Sequence, residues 1–202
     1  MSTLTPTITL SGSAADFGAK IALSVTDSLA LSATGYNIQS QIVLDDELHT
    51  IIADASEFST DPLASPSKCY VFLQNLSTTA AEVITVTHAA FNHNDCDINN
   101  ATGITDITGI HGAKPGMNVY HSSTTGRIPV DSRITTVSSA TNLVMSGTST
   151  GGDLDDQTLT FANSLFTLGN QEFAFFPWSG RFDIGAHAAQ GTPAIEVRIF
   201  KA

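Results

Sequence analysis

Two stretches of strand-like sequence that read as halves of one β-domain, held apart by a third stretch with turns of its own, constrain this chain most. The first half is residues 68–87, the second is residues 168–178 together with 194–200, and the intervening unit runs from Gly116-Met-Asn-Val-Tyr120 to Thr158-Leu-Thr-Phe161. A segment that carries its own strand and turn signals between two halves of another pattern predicts an insertion into a discontinuous domain. The expected organisation is a main β-domain built from residues 1–90 and 164–202, with an inserted β-domain at 91–163.

The period of the apolar residues sets the fold class. Ile21, Leu23 and Val25 alternate with polar neighbours, Leu29 and Leu31 repeat the pattern, and residues 36–44 give another alternating run through Ile38 and Ile42. At the far end Ile195, Val197 and Ile199 face one way while Glu196, Arg198 and Phe200 face the other. Residues 6–10 read as an edge strand with proline at its start. Residues 45–58 are ambiguous: Asp45 could cap a helix carrying Leu48, Ile51, Ile52 and Ala55, but Thr50-Ile-Ile favours a strand or short irregular turn; 61–66, with two prolines, reads as a loop.

The near-continuous apolar run 69–74 suggests a strand buried on both faces, forming a hairpin with 83–87. From Phe91 to Asn100 apolar residues thin out, which marks the start of the insert. Within it, Ile104, Ile107 and Ile110 are spaced by Thr, Asp and Gly. Residues 133–137 and 142–146 form a hairpin pattern, 147–156 a loose loop, and 158–161 the closing strand. Beyond it come an aromatic strand at 172–176, a turn at 177–180 and a short strand at 181–184. No segment sustains a helical period. The expected class is all-β, with a jelly-roll-like antiparallel β-sandwich as the main domain and a smaller β-domain inserted in it.

Charge excludes several function classes. The formal net charge is −11, with only 8 Lys and Arg, none of them grouped into a basic stripe. Phosphate neutralisation needs such a stripe, so nucleic acid and anionic membrane surfaces are not expected partners. No stretch approaches the ~18 consecutive apolar residues of a membrane span, and no secretory leader is visible at the N-terminus, so a protein made in a cytoplasm is expected. Charged residues make up 13% of the chain, about half the ~25% of an ordinary soluble domain. So weakly charged a surface is prone to association, and much of it is expected to be covered by neighbouring subunits.

Reactive chemistry is sparse. Cys69 and Cys96 are too few for a disulfide framework, and a reducing compartment disfavours their pairing. His88, His93, Asp95, Cys96 and Asp97 offer metal-ligating atoms within ten positions, but their spacing fits no zinc module. Residues 151–156 concentrate three carboxylates without the alternating ligands and closing Glu of a calcium loop. There is no Gly-x-Ser-x-Gly turn, His-Glu-x-x-His pair or phosphate-binding glycine loop. Neither catalysis, nor a metal, nor a cofactor is expected.

Certain short motifs point further. Tyr-Val-Phe-Leu-Gln-Asn at 70–75, Ser-Thr-Thr-Ala at 77–80, Gly-Asn-Gln-Glu-Phe-Ala-Phe-Phe-Pro at 169–177 and Glu-Val-Arg-Ile-Phe at 196–200 resemble structural proteins of tailed bacteriophages. The insert, with Gly-Met-Asn-Val at 116–119, Ile128-Pro129, residues 134–143 and Thr-Leu-Thr-Phe at 158–161, resembles a β-unit of phage and bacterial surface proteins. The resemblance implies a virion component that works by contact with copies of itself and other virion proteins. A receptor- or glycan-binding module of a fibre or adhesin is the alternative, with a host surface glycan as partner. Trp178 and Phe176, beside Pro177, and Leu4 and Ile8 in the N-terminal arm are the candidate subunit contacts, with closure of the sandwich end as the other reading of Trp178. Tyr120 and His121 are expected on the outward face of the insert.

Overall fold

The computed structural model describes residues 2–4, 7–12, 21–26, 29–31, 37–46, 48–57, 69–107, 112–122 and 126–201, with side chains from residue 40 to 200 within these ranges. The side chains of Leu4 and Ile8, residue Ile110 and the proline-rich stretch at 61–66 lie outside the described residues. Among the described residues there is no α-helix; strands and one short 3₁₀ turn at Ala55–Glu57 make up the regular structure. The chain is all-β.

The strands in chain order are β1 (Ser2–Leu4), β2 (Thr7–Gly12), β3 (Ile21–Thr26), β4 (Leu29–Leu31), β5 (Asn37–Val43), β6 (Thr50–Ala53), β7 (Cys69–Asn75) and β8 (Ile84–Asn99). They continue with β9 (Gly103–Thr105), β10 (Asn118–His121), β11 (Ile134–Val137), β12 (Leu143–Met145), β13 (Asp153–Leu168), β14 (Phe173–Trp178), β15 (Ile184–Ala188) and β16 (Ala194–Lys201). β1 pairs with β4 and β2 with β3 as two-stranded ribbons. The rest form two antiparallel sheets, one of four strands in the order β14-β7-β16-β5 and one of eight.

The two sheets face each other across a first core. The four-stranded sheet contributes Cys69, Val71, Leu73, Ile195, Val197 and Ile199, and the larger sheet Ile52, Ile84, Val86, Leu168, Ile184 and Ala186. This is sandwich packing, with alternate residues of each strand turned inward. β7 shows the alternation cleanly: Cys69, Val71, Leu73 and Asn75 are buried, while Tyr70, Phe72 and Gln74 are only half-buried on the opposite face. The apolar run at 69–74 is therefore not a strand buried on both faces. Two of its outward residues, Tyr70 and Phe72, are aromatic, and a large ring can stay half-exposed while its strand neighbours fill the core.

The hairpin expected between 69–74 and 83–87 does not form. β7 pairs with β14 and β16, while β8 pairs with β9, β13 and β15 in the facing sheet. The connection crosses from one sheet to the other, and buried Asn75 knits it together. Its side-chain amide donates to the carbonyls of Glu82 at 2.8 Å and Leu168 at 3.2 Å, while its Oδ1 accepts from the Ser77 amide at 3.0 Å. An amide side chain with three such bonds takes the place of the backbone pairing a hairpin would supply.

A second core lies wholly within residues 91–161. It comprises Cys96, Ile98, Ile104, Ile107, Met117, Val119, Ile128, Ile134, Leu143, Met145, Leu159 and Phe161 among others. The strand path around it is β10-β13-β8-β9-β12-β11. Its two end strands meet: Asn118 bridges to Arg133, the Val119 amide donates to the Ser132 carbonyl at 2.9 Å, and the Ile134 amide donates to Met117 at 2.8 Å. These six strands thus close into a small barrel. Closure pairs the strand edges that an open sheet leaves bare.

β8 and β13 belong to both cores. Each is 16 residues long, and they pair from Ile84↔Leu168 to Asn99↔Asp153 through four register shifts. The segment after Phe91, where apolar residues thin out, and the supposed loop at 153–156 are therefore both strand. The polar positions sit on a solvent-facing side or at bulges, where Ala89 (φ 51°), Asp95 (φ 64°) and Asp156 (φ 58°) adopt left-handed backbone. Pro177 and Trp178 likewise end β14 rather than form a turn, and the strand expected at 181–184 begins only at Ile184.

Candidate functional site

Two surfaces have the chemistry of contact. The first is the outer face of the four-stranded sheet. Cross-strand register places Phe173, Phe175 and Pro177 beside Gln74, Phe72 and Tyr70, and these beside Glu196, Arg198 and Phe200. Tyr70 stacks on Phe175 with centroids 5.2 Å apart, Phe72 on Phe173 at 5.9 Å, and Phe175 approaches Phe200 at 6.4 Å. Phe173 is 66% exposed. The charges on this face satisfy each other: Arg198 donates through Nε and Nη2 to Glu196 Oε1 at 3.0 and 2.7 Å, and its guanidinium carbon lies 5.8 Å from the Phe72 ring centre. The result is an aromatic platform whose two opposite charges are paired.

The second lies at the junction of the two cores. β15 (Ile-Gly-Ala-His-Ala) is buried throughout because its far face is covered as well. Its small residues permit close approach; a Cβ on Gly185 would collide with the His49 ring. Tyr120 of β10 reaches His187 with its hydroxyl 2.7 Å from Nδ1, and His187 Nε2 lies 3.2 Å from Asp131 Oδ1. All three groups are satisfied when His187 Nε2–H donates to the carboxylate and the Tyr120 hydroxyl donates to Nδ1. The hydrogen bond from His187 holds the Asp131 carboxyl below its ordinary range, and burial pushes the Tyr120 phenol upward. His49, packed 5.3 Å from the Tyr120 ring and 2.7 Å from the Thr87 hydroxyl, is lowered to about 4 by burial and then by the neighbouring His187.

Beside this network opens a cavity of about 250 Å³ lined by His49, Ile51, Ala90, Phe91, Asn92, Ser122, Thr160 and Asp183. No protein-family model, curated protein or solved structure matches this chain. What its surfaces can do has to be read from their own geometry.

Tyr120 and His121 are not on an outward face. They are 3% and 5% exposed, because β10 is paired in the barrel wall while Tyr120 turns toward β15 and His121 toward Gln157 Oε1, 3.1 Å from its Nε2. The Tyr–His–Asp chain has the order of a catalytic relay, and its Tyr120 and His187 are both buried. Trp178 and Phe176 turn inward and pack against the first core; the Trp178 indole N–H donates to the Phe182 carbonyl at 3.0 Å. The outward aromatics of β14 are their alternate neighbours, Phe173 and Phe175.

The His/Cys/Asp segment is spread along β8. Cys96 points into the second core, and burial pushes its thiol up to about 12. Among the described residues no three His, Cys, Asp or Glu side chains stand close enough to share a metal ion. Asp156, from the acidic 151–156 stretch, lies against Asp95, whose hydrogen bond and charge raise its carboxyl above the ordinary value. Cys69 and Cys96 are not joined in a disulfide and lie in different cores.

Proposed function

We propose that this chain is a non-enzymatic structural component of a tailed-bacteriophage particle, coating or decorating capsid, neck or tail. On this reading it is made in the host cytoplasm and joins the virion through the outer face of its four-stranded sheet, against copies of itself. The observation that carries the reading is the aromatic platform of Tyr70, Phe72, Phe173, Phe175 and Phe200. Phe173 is exposed and the other rings are half-buried on the same face; an aromatic cluster at a surface marks an interaction site, and aromatics anchor subunit interfaces. The motif resemblance supplies the phage assignment, and the low charge of the chain fits a surface meant to be covered.

The test is association measured by sedimentation equilibrium, alongside incorporation into purified particles. Phe173→Ser with Phe175→Ser removes the outermost rings while leaving the inward residues of β14 in place. The pair should abolish self-association and particle binding with the melting temperature nearly unchanged. A wild-type chain that stays monomeric, or a double variant that assembles normally, overturns the reading. The alternative, a glycan-binding module of a fibre or adhesin, finds support in the polar cavity at the core junction.

A further inference from the structure

The cavity beside His49 has a lining that suits one class of small molecule. Its polar groups are neutral or acidic: the Asp183 carboxylate, the Asn92 amide, the hydroxyls of Ser122 and Thr160, and the His49 imidazole. Its apolar groups are Phe91, Ile51 and Ala90. Among the described residues no Lys or Arg lines it, and the Asp183 carboxylate does, so its charge disfavours a phosphate, sulfate or carboxylate. A pyranose ring presents the complementary mixture, hydroxyls around its rim and C–H groups on its faces, for which an aromatic wall is the usual partner.

Several of these side chains are held in place before any ligand arrives. The Ala55 amide donates to Asp183 Oδ1 at 2.7 Å, which fixes the carboxylate at the rim. The Thr160 hydroxyl donates to Asn92 Oδ1 at 2.7 Å, which orients the Asn92 amide N–H groups as the donors. His49 is braced by Thr87, and Phe91 is stacked on Phe161 at 5.5 Å, so the aromatic wall is backed by the barrel core. Such bracing lowers the ordering cost that limits small-ligand affinity. At about 250 Å³ the space is smaller than the ~300–1,000 Å³ of sites that take drug-sized ligands. That limits the occupant to about one ring.

We infer that this cavity binds a single neutral hexopyranose ring, with Asp183 and Asn92 bonding its hydroxyls and Phe91 facing its C–H surface. The inference deepens the glycan-binding alternative and does not rest on the aromatic platform, which shares no residue with the cavity. Binding is read by ligand titration and association by sedimentation, so one can fail while the other stands.

The experiment titrates the full chain with methyl α-glucoside, α-galactoside and α-mannoside, following backbone amide shifts by NMR. Methyl glucuronide serves as an acidic control. At least one neutral glycoside should shift the amides of residues 90–92, 160 and 183 with a Kd on the order of 1 mM, as expected for so few ligand atoms. The glucuronide should bind at least ~10-fold more weakly, being repelled by Asp183. Asn92→Ala should weaken binding at least ~10-fold. Ala90→Leu, which fills the space from its wall, should abolish binding with the fold intact by its amide spectrum. An oligosaccharide of the preferred sugar separates the sources: equal or tighter binding indicates a glycan terminus, weaker binding a free sugar. No response to any neutral hexoside, equal binding of the glucuronide, or unchanged binding in Ala90→Leu overturns the inference.

Discussion

The barrel around the second core and the sandwich around the first are made from similar strands, yet they treat their surfaces differently. The barrel closes its own strand edges through the Asn118–Arg133 bridge. Among the described residues, β14 and β5 end the four-stranded sheet, each paired on one side only. Of the large apolar side chains exposed among the described residues, only Val137 belongs to the barrel; Val43, Ile51, Leu165, Phe173 and Phe182 lie on the sandwich side. A unit with no free edge and little exposed apolar surface is complete by itself. A unit with both invites a partner.

Emptying one core should separate the barrel from the sandwich most clearly. Phe161 is fully buried in the barrel, and Phe161→Ala should cost about 3–5 kcal/mol. If the barrel is a self-sufficient unit, hydrogen exchange will show protection lost across residues 96–161 while β7 and β16 keep theirs. Simultaneous loss in both regions would show one cooperative structure and remove the distinction.

Acid tests the seam between them. Unfolded His49 takes up a proton near its ordinary value of 6.5, whereas folded His49 resists until about pH 4. The unfolded state therefore binds more protons across that window, and stability should fall as pH drops through it, by up to about 3 kcal/mol, then level off. Asp131 acts in the window below, because its folded carboxyl is held under the ordinary 3.8 and its contribution fades as acid reaches it. Denaturant melts from pH 7.5 to 4 check the first effect, and His49→Gln should flatten the profile.

A smaller loss sharpens the same seam. Tyr120→Phe removes the hydroxyl that meets His187 Nδ1 and leaves a buried ring nitrogen without its partner. The expected cost is about 1–2 kcal/mol, read as a lower denaturation midpoint with unchanged slope. The least effect is a gain. Ala89 sits at φ 51° in the bulge of β8 between the cores, where a Cβ costs about 1–2 kcal/mol. Ala89→Gly should stabilise by roughly 0.5–1 kcal/mol after the flexibility of unfolded glycine is counted. A loss in thermal unfolding would mean the methyl packs usefully.

Periodicity made the strands legible. Ile195, Val197 and Ile199 face the core as their spacing requires, and the hairpin of β11 and β12 follows the residues on either side of Ser138–Asn142. Pairing across the fold was not legible, because alternation says which face a residue takes but not which strand lies beside it. That is why 69–74 and 83–87 read as a hairpin when they stand in opposite sheets. Burial at Tyr120 and His121 was hidden for a similar reason: a polar aromatic looks like surface until its distant partner, His187 or Gln157, is known. The cavity had no local signal at all, since His49, Asn92, Thr160 and Asp183 are brought together by four different parts of the chain.

The paired strands β8 and β13 also have a mechanical meaning. At ~3.3 Å per residue, 16 residues make a two-stranded beam about 50 Å long. Because both rails run unbroken from sandwich to barrel, the barrel cannot swing as it would on a single tether. Its direction is set by the bulges at Ala89 and opposite Val86, where Leu165 is the extra residue. A slight change of twist at that root would be magnified at the tip, so those two positions aim the far end of the molecule.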